Sequence, residues 1–111
     1  MQAGDVVGVD FGVPTGSEPG FVRPAVIVTA DLILQARPRT IHVVPITSNT
    51  SRGLPTEVVV SATGLHQPSA AQCHLCTVVS TGRLTDEAHG NIGSAALAAV
   101  RAVLGDLLDI P

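Results

Sequence analysis

The run Arg23-Pro24-Ala25-Val26-Ile27-Val28-Thr29 constrains this fold more than any other stretch. No polar residue interrupts it between Pro24 and Val28, so it reads as a strand buried on both faces rather than one with a wet side. A loop rich in Gly and Pro, Gly12 to Gly20, leads into it, with Ser17 and Glu18 at its tip. Loops of this kind usually carry function or disorder. Pro24 biases Arg23 towards an extended backbone and holds its guanidinium at the mouth of that loop.

The elements on either side agree with a small sheet. Gly4 to Phe11 has valines at 7 and 9 alternating with polar or small residues, a first strand. After Thr29, Asp31 is placed to cap a helical turn over Leu32 to Ala36, which Pro38 stops. Thr40 to Thr47 is a third strand, ending in the polar run Ser48 to Gly53. Thr56 to Ser61 is a short Val-rich strand, Gly64 to Pro68 a turn, and Ala70 to Ser80 one further extended run. The tail differs: with Ser94 as its cap, Leu97, Val100, Leu104 and Leu107 fall three and four apart on one helical stripe. One helix then closes a strongly curved sheet. The expected class is mainly β (α+β), as one domain over residues 1–111.

Composition narrows the functional classes. Hydrophobic residues make up 45% and charged ones 14%, more apolar surface than 111 residues hide easily, which points to a homo-oligomer or an obligate partner. A net charge of -3 leaves any nucleic-acid role to a local patch. Phe11 and Phe21 are the only aromatics, too few for a broad base-stacking platform, although both flank the loop. No run has the length of a membrane span and the amino terminus has no signal-peptide pattern, so a cytoplasmic location is the default.

In order and approximate spacing, a series of motifs resembles the MazF/PemK/Kid toxins of bacterial toxin–antitoxin pairs. Gly4-Asp5-Val6-Val7-Gly8-Val9-Asp10 is similar to that family's first strand, and Gly16-Ser17-Glu18 with Arg23-Pro24-Ala25-Val26-Ile27-Val28 to its glycine-x-glutamate and arginine-proline signature. Val43 to Ser48, Gly64-Leu65, Pro68-Ser69, Gln72-Cys73-His74, Arg83-Leu84 and Asn91-Ile92-Gly93 follow in the family's order. The resemblance implies a small SH3-like barrel of the CcdB/PemK type with a carboxy-terminal helix, dimeric. It also implies an endoribonuclease that cuts single-stranded RNA without a metal or other cofactor and is neutralised by a cognate antitoxin.

Metal-free cleavage by the ribose 2′-hydroxyl needs a base, an acid and a cation for the pentacoordinate phosphate. Arg23 is the candidate cation, since its planar fork matches two phosphoryl oxygens. Thr47, on which the family's catalytic threonine falls, and Ser48 offer hydroxyl donors at a strand end. At His74 many members carry an acidic residue; imidazole can take over such proton transfer near neutral pH. Ser17, Glu18, Phe21, Ser48, Asn49, Arg52, Gln72 and Arg83 are the candidate RNA contacts. His42, His66 and His89 have no assignable partner in the sequence.

Cys73 and Cys76 form a C-x-x-C. Read within an extended strand, residues three apart face opposite ways, which argues against both a shared zinc and a redox pair. Two readings compete with the nuclease. One is a gyrase poison like CcdB, which acts by binding a protein; the other is a degenerate member, altered around His74, that only pairs with an antitoxin.

Overall fold

The computed structural model describes residues 1–111. Its strands are β1 (Asp5–Asp10), β2 (Val22–Ile27), β3 (Thr40–Thr47), β4 (Glu57–Val60), β5 (Ser69–Gln72), β6 (Thr77–Ser80) and β7 (Leu84–Asn91); its helices are α1 (Asp31–Leu34) and α2 (Ser94–Leu107). All pairings are antiparallel, in the order β4-β5-β3-β2-β1-β7, with β6 also on β3. The architecture is mainly β with a carboxy-terminal helix.

The apolar run read as a doubly buried strand is that. Val26 joins one core with Val6, Val44, Ile46, Val60 and Ala71, covered by Leu97 and Val100 of α2. Its neighbours Ala25 and Ile27 turn the other way, into a second core with Val9, Leu34, Ile41, Val43 and Val79. Alternate residues of one strand thus serve two cores, the period-2 geometry of a pleat covered on both sides. Each fully buried Val or Ile contributes about 1.5–3 kcal/mol.

Four local expectations need correction, and one strand was not expected at all. The stretch Ala70 to Ser80 is not one strand: a 3-10 turn at Cys73–Leu75 divides it. β5 pairs with the end of β3 through Ile46↔Ala71 and Thr47↔Ala70, whereas β6 pairs with its beginning, from Thr40↔Ser80 to Val43↔Thr77. The Cys76 amide donates to the Cys73 carbonyl at 3.1 Å, so the two cysteines lie across one turn, and the opposite-faces argument does not hold.

The other corrections concern caps and a missed strand. α2 starts from Gly93, whose φ of 87° suits glycine, and Ser94 is already helical with no side-chain cap. α1 likewise starts from Ala30, and the Asp31 carboxylate accepts from the Ala3 amide at 2.7 Å instead of capping. β7 has no apolar alternation because it is mostly exposed. It pairs with β1 through two register shifts.

β7 also completes the curvature. The Gly64 amide, in the turn after β4, donates to the His89 carbonyl of β7 at 2.8 Å, so the two ends of the sheet meet. A Cβ on Gly64 would lie 2.5 Å from the His89 Cα, so only glycine permits this approach.

Candidate active site

Arg23 leaves β2 beside Val9 of β1 and reaches across β3 to the end of β5. Its Nη2 donates to the Gln72 Oε1 at 2.8 Å and to the Ile46 carbonyl at 3.4 Å. Gln72 is only 4% exposed, so its amide is a fixed acceptor. The turn behind it is pinned, because the Cys73 amide donates to the Thr56 carbonyl at 3.0 Å. Both partners of the guanidinium are neutral. Burial, and then the positive charge of Arg52, lower the Arg23 guanidinium from its ordinary value, yet no working pH discharges it.

Thr47 ends β3 where the chain leaves the sheet. Its Oγ1 accepts from the Asn49 amide at 3.2 Å, while the Asn49 Oδ1 accepts from the Ser51 amide at 3.0 Å and from its hydroxyl at 2.6 Å. These Asx and ST turns fold the polar run back on itself and leave the Thr47 hydroxyl hydrogen free to donate.

Arg23, Thr47 and Ser48 open on one cleft of about 420 Å³. Pro24 and Ile46 line it from the same two strands, and Gly64, Leu65, His66, Gln67 and Ser69 from the β4–β5 connection; His89 reaches it from β7. No Asp or Glu is among these residues. A half-buried cation with neutral partners, hydroxyl donors and no competing carboxylate is a site for an anion.

Two histidines belong to this cleft that the sequence left unassigned. The His89 Nδ1 lies 3.4 Å from the Gly64 carbonyl and its Nε2 3.3 Å from Glu87 Oε2. His66 is exposed. The Gly-Leu-His spacing in a turn was the available signal, but only closure of the sheet brings β7 to it.

Other candidates lie apart. The His74 Nδ1 is 2.9 Å from the Thr56 Oγ1, and the ring lines a separate groove of about 950 Å³ between β6, α1 and the end of α2. That groove is larger but chiefly apolar, walled by Ile33, Val78, Leu104, Leu107 and Leu108, with no cation to receive a phosphate. Ser17 and Glu18 lie against Leu75, Cys76 and Thr77, and Arg83 donates to the Asp10 carbonyl at 3.3 Å; neither group reaches the cleft. Arg52 and Asn49 are exposed in the loop after β3. Phe21 is 67% exposed two residues before Arg23 and holds a φ of 59°, a left-handed conformation that costs on the order of 1 kcal/mol in a bulky residue. Hydrogen bonds between Phe21 and both Phe11 and Gly12 keep it there.

Cys73 is buried and Cys76 half-buried, both free thiols. Burial, with a smaller contribution from Cys76, pushes the Cys73 thiol up to about 11. No group of three or more His, Cys, Asp or Glu side chains is placed to share a metal ion. No helix is long and apolar enough to cross a membrane.

Comparison with known proteins gives the family and the fold. The chain is 34% identical to the endoribonuclease MazF9 of Mycobacterium tuberculosis over 116 residues, which cover 99% of this chain and 98% of the relative. A crystal structure of MazF from Deinococcus radiodurans superposes with a TM-score of 0.82 at 27% identity, covering 98% of this chain and 96% of the other. MazF in a MazE–MazF complex from the same organism gives a TM-score of 0.78 at 26% identity, over 100% and 97% of the two chains. Residues 2–108 match the PemK-like, MazF-like toxins of type II toxin-antitoxin systems, and the chain belongs to that family.

Proposed function

We propose that the chain is an endoribonuclease toxin that cuts single-stranded RNA at short sequences, without a metal, by attack of the ribose 2′-hydroxyl on the adjacent phosphate. The observation that carries this reading is the Arg23 guanidinium, half-buried, held by two neutral acceptors and facing a cleft without carboxylates. Arg23 stabilises the charge that grows on the phosphoryl oxygens, and the Thr47 and Ser48 hydroxyls donate to the same group. The products are a cyclic phosphate and a 5′-hydroxyl.

Gln72 and His74 act behind this site. Gln72 orients the guanidinium, and His74, through Thr56, steadies the turn that carries Gln72. Phe21, Asn49 and Arg52 extend the RNA path from the cleft; Ser17, Glu18 and Arg83 are candidates for more distant contacts. The MazE–MazF complex of the similar structure supports an antitoxin partner here. The apolar groove over α2 is consistent with a homodimer, and the reading places the protein in the cytoplasm.

The test is to incubate the purified chain with a mixed-sequence RNA in excess chelator and map every new 5′ end. Arg23→Ala and a substrate with 2′-deoxy at the cut are run beside it. Cutting at a short recurring motif, lost in both controls, is the expected result; Arg23→Ala should lose about a hundredfold or more. Intact RNA in the presence of folded wild-type protein would refute the nuclease and favour action through a protein partner.

A further inference from the structure

The proposed reaction requires a group that removes the 2′-hydroxyl proton, and the cleft offers few. Among its lining residues only Arg23, His66 and His89 carry ionisable side chains. Arg23 keeps its proton at any working pH. The His89 ring is engaged on both nitrogens, by the Gly64 carbonyl and the Glu87 carboxylate. His66 lies two residues from Gly64, on the same turn, exposed and without the partners that hold His89.

We propose that His66 is the proton-transfer group of this cleft and that the Gly64–His89 clasp is what positions it, an assignment that rests on the nuclease reading above. The clasp has two parts: the Gly64 amide donates to the His89 carbonyl at 2.8 Å, and the His89 ring reaches back to the Gly64 carbonyl. The turn bearing His66 is therefore fixed to β7 in the cleft that Arg23 also lines, and Gly64 leaves no room for a Cβ at the clasp. The free His66 ring takes the proton of the 2′-hydroxyl as the 2′-oxygen bonds to phosphorus. The bond from phosphorus to the 5′-oxygen breaks, water in the open cleft protonates that oxygen, and His66 returns its proton to solvent. No electron changes hands.

The charged and titratable groups that share the cleft with this ring are Arg23 from β2 and His89 from β7; behind them, Arg52 from the loop after β3 acts on Arg23, and Glu87 lies against His89. A base must be unprotonated to act, so cleavage by this group should rise with pH as the ring loses its proton. The experiment measures cleavage of mixed-sequence single-stranded RNA from pH 5 to 9 by wild type, His66→Gln, His66→Gly with added imidazole, His89→Ala and His89→Gln. His66→Gln should lower the maximal rate on the order of 10²-fold with KM little changed, and should flatten the rise with pH. His66→Gly should recover rate as imidazole is added. His89→Ala should lower kcat, and His89→Gln, whose amide can still donate to the Gly64 carbonyl, should restore most of it.

A His66→Gln variant with wild-type rate and pH profile, in a preparation whose wild type cuts RNA, overturns the assignment and leaves the nuclease standing. So does a loss in His66→Gly that imidazole does not repair. Wild-type protein that cuts nothing at any pH removes the nuclease reading and this assignment with it.

Discussion

Replacing Gln72 with Met tests the central geometric claim, that a buried neutral amide aims the cation. The substitution keeps the length and approximate volume of the side chain in a position that is 4% exposed, so the packing around β5 is preserved. What it removes is the 2.8 Å acceptor of Arg23 Nη2. The Ile46 carbonyl remains, but at 3.4 Å it holds one nitrogen weakly and leaves the fork free to swing. A hydrogen bond to a charged group contributes about 1.5–3 kcal/mol, so loss of about 2 kcal/mol of transition-state positioning lowers cleavage about 30-fold. Stability should fall less, because the half-buried guanidinium can recover water as a partner.

The assay is single-turnover cleavage of a defined RNA, with thermal melting of both proteins. A Gln72→Met protein that melts near wild type and cuts about 30-fold more slowly agrees with the argument. Gln72→Glu separates charge from orientation. It keeps an acceptor in place but sets a carboxylate against Arg23, and so should weaken RNA binding where Met mainly slows the chemical step. Wild-type cleavage by Gln72→Met would refute the idea that this amide positions the guanidinium, and would return Gln72 to simple packing.

Three further outcomes follow from the fold. The Cys73 thiol is pushed up to about 11 in the folded protein, so between its ordinary value near 9 and about 11 the native state holds a proton that the unfolded chain has lost. Stability present below pH 9 therefore declines as pH rises through that window, by at most about 1.4 kcal/mol per unit from this thiol; melting temperatures under reductant should show the decline in wild type and a smaller one in Cys73→Ala, where the Cys76 thiol, also raised by burial, remains. Gly64→Ala forces a Cβ to within 2.5 Å of the His89 backbone, and an overpacking cost of about 1–3 kcal/mol should appear as an earlier denaturation midpoint. Ser94→Ala should leave stability within about 0.5 kcal/mol, since Ser94 is a helical residue with no capping bond; a loss near 1 kcal/mol would show that the hydroxyl caps after all.

What the sequence made legible was whatever depends on local pattern. The unbroken run into Thr29 and the helical stripe at Leu97 and Val100 are burial patterns, and the burial is there; the alternation at Val7 and Val9 marks the strand, but Val7 is only half-buried and Val6, on the other face, is fully buried. The same stripe runs past the core: Leu107 is 44% exposed and faces the apolar groove, because periodicity reports a face and not its cover. β7 was illegible, since a strand with an exposed surface and two register shifts has no period to detect. The break at Cys73–Leu75 was hidden for a different reason. Its residues suit a strand, and the turn is imposed by β3, whose two halves pair with the chain before and after it. Arg23 and Thr47 could be named as candidates from motif and strand end, whereas the meeting of Arg23 with Gln72, and of His66 and His89 in one cleft with it, depends on contacts between residues far apart in sequence.

The position of the cleft follows from how the sheet is closed. The main strand order ends at β4 and β7, and edges left unpaired invite association with other chains. Here the ends meet through one backbone bond, Gly64 to His89, rather than a full ladder, so the seam stays open enough to admit a ligand. Side chains from either side of the seam therefore converge without filling it: Arg23, Thr47 and Ser48 from the central strands, His66 and His89 from the junction. Strengthening the seam would close the site, and breaking it would scatter the residues that line it. Gly64→Ala should accordingly reduce cleavage by more than its effect on melting predicts, because the displaced turn carries His66 away from Arg23. Parallel losses of stability and activity, both reversed by stabilising osmolytes, would show instead that the seam serves folding alone.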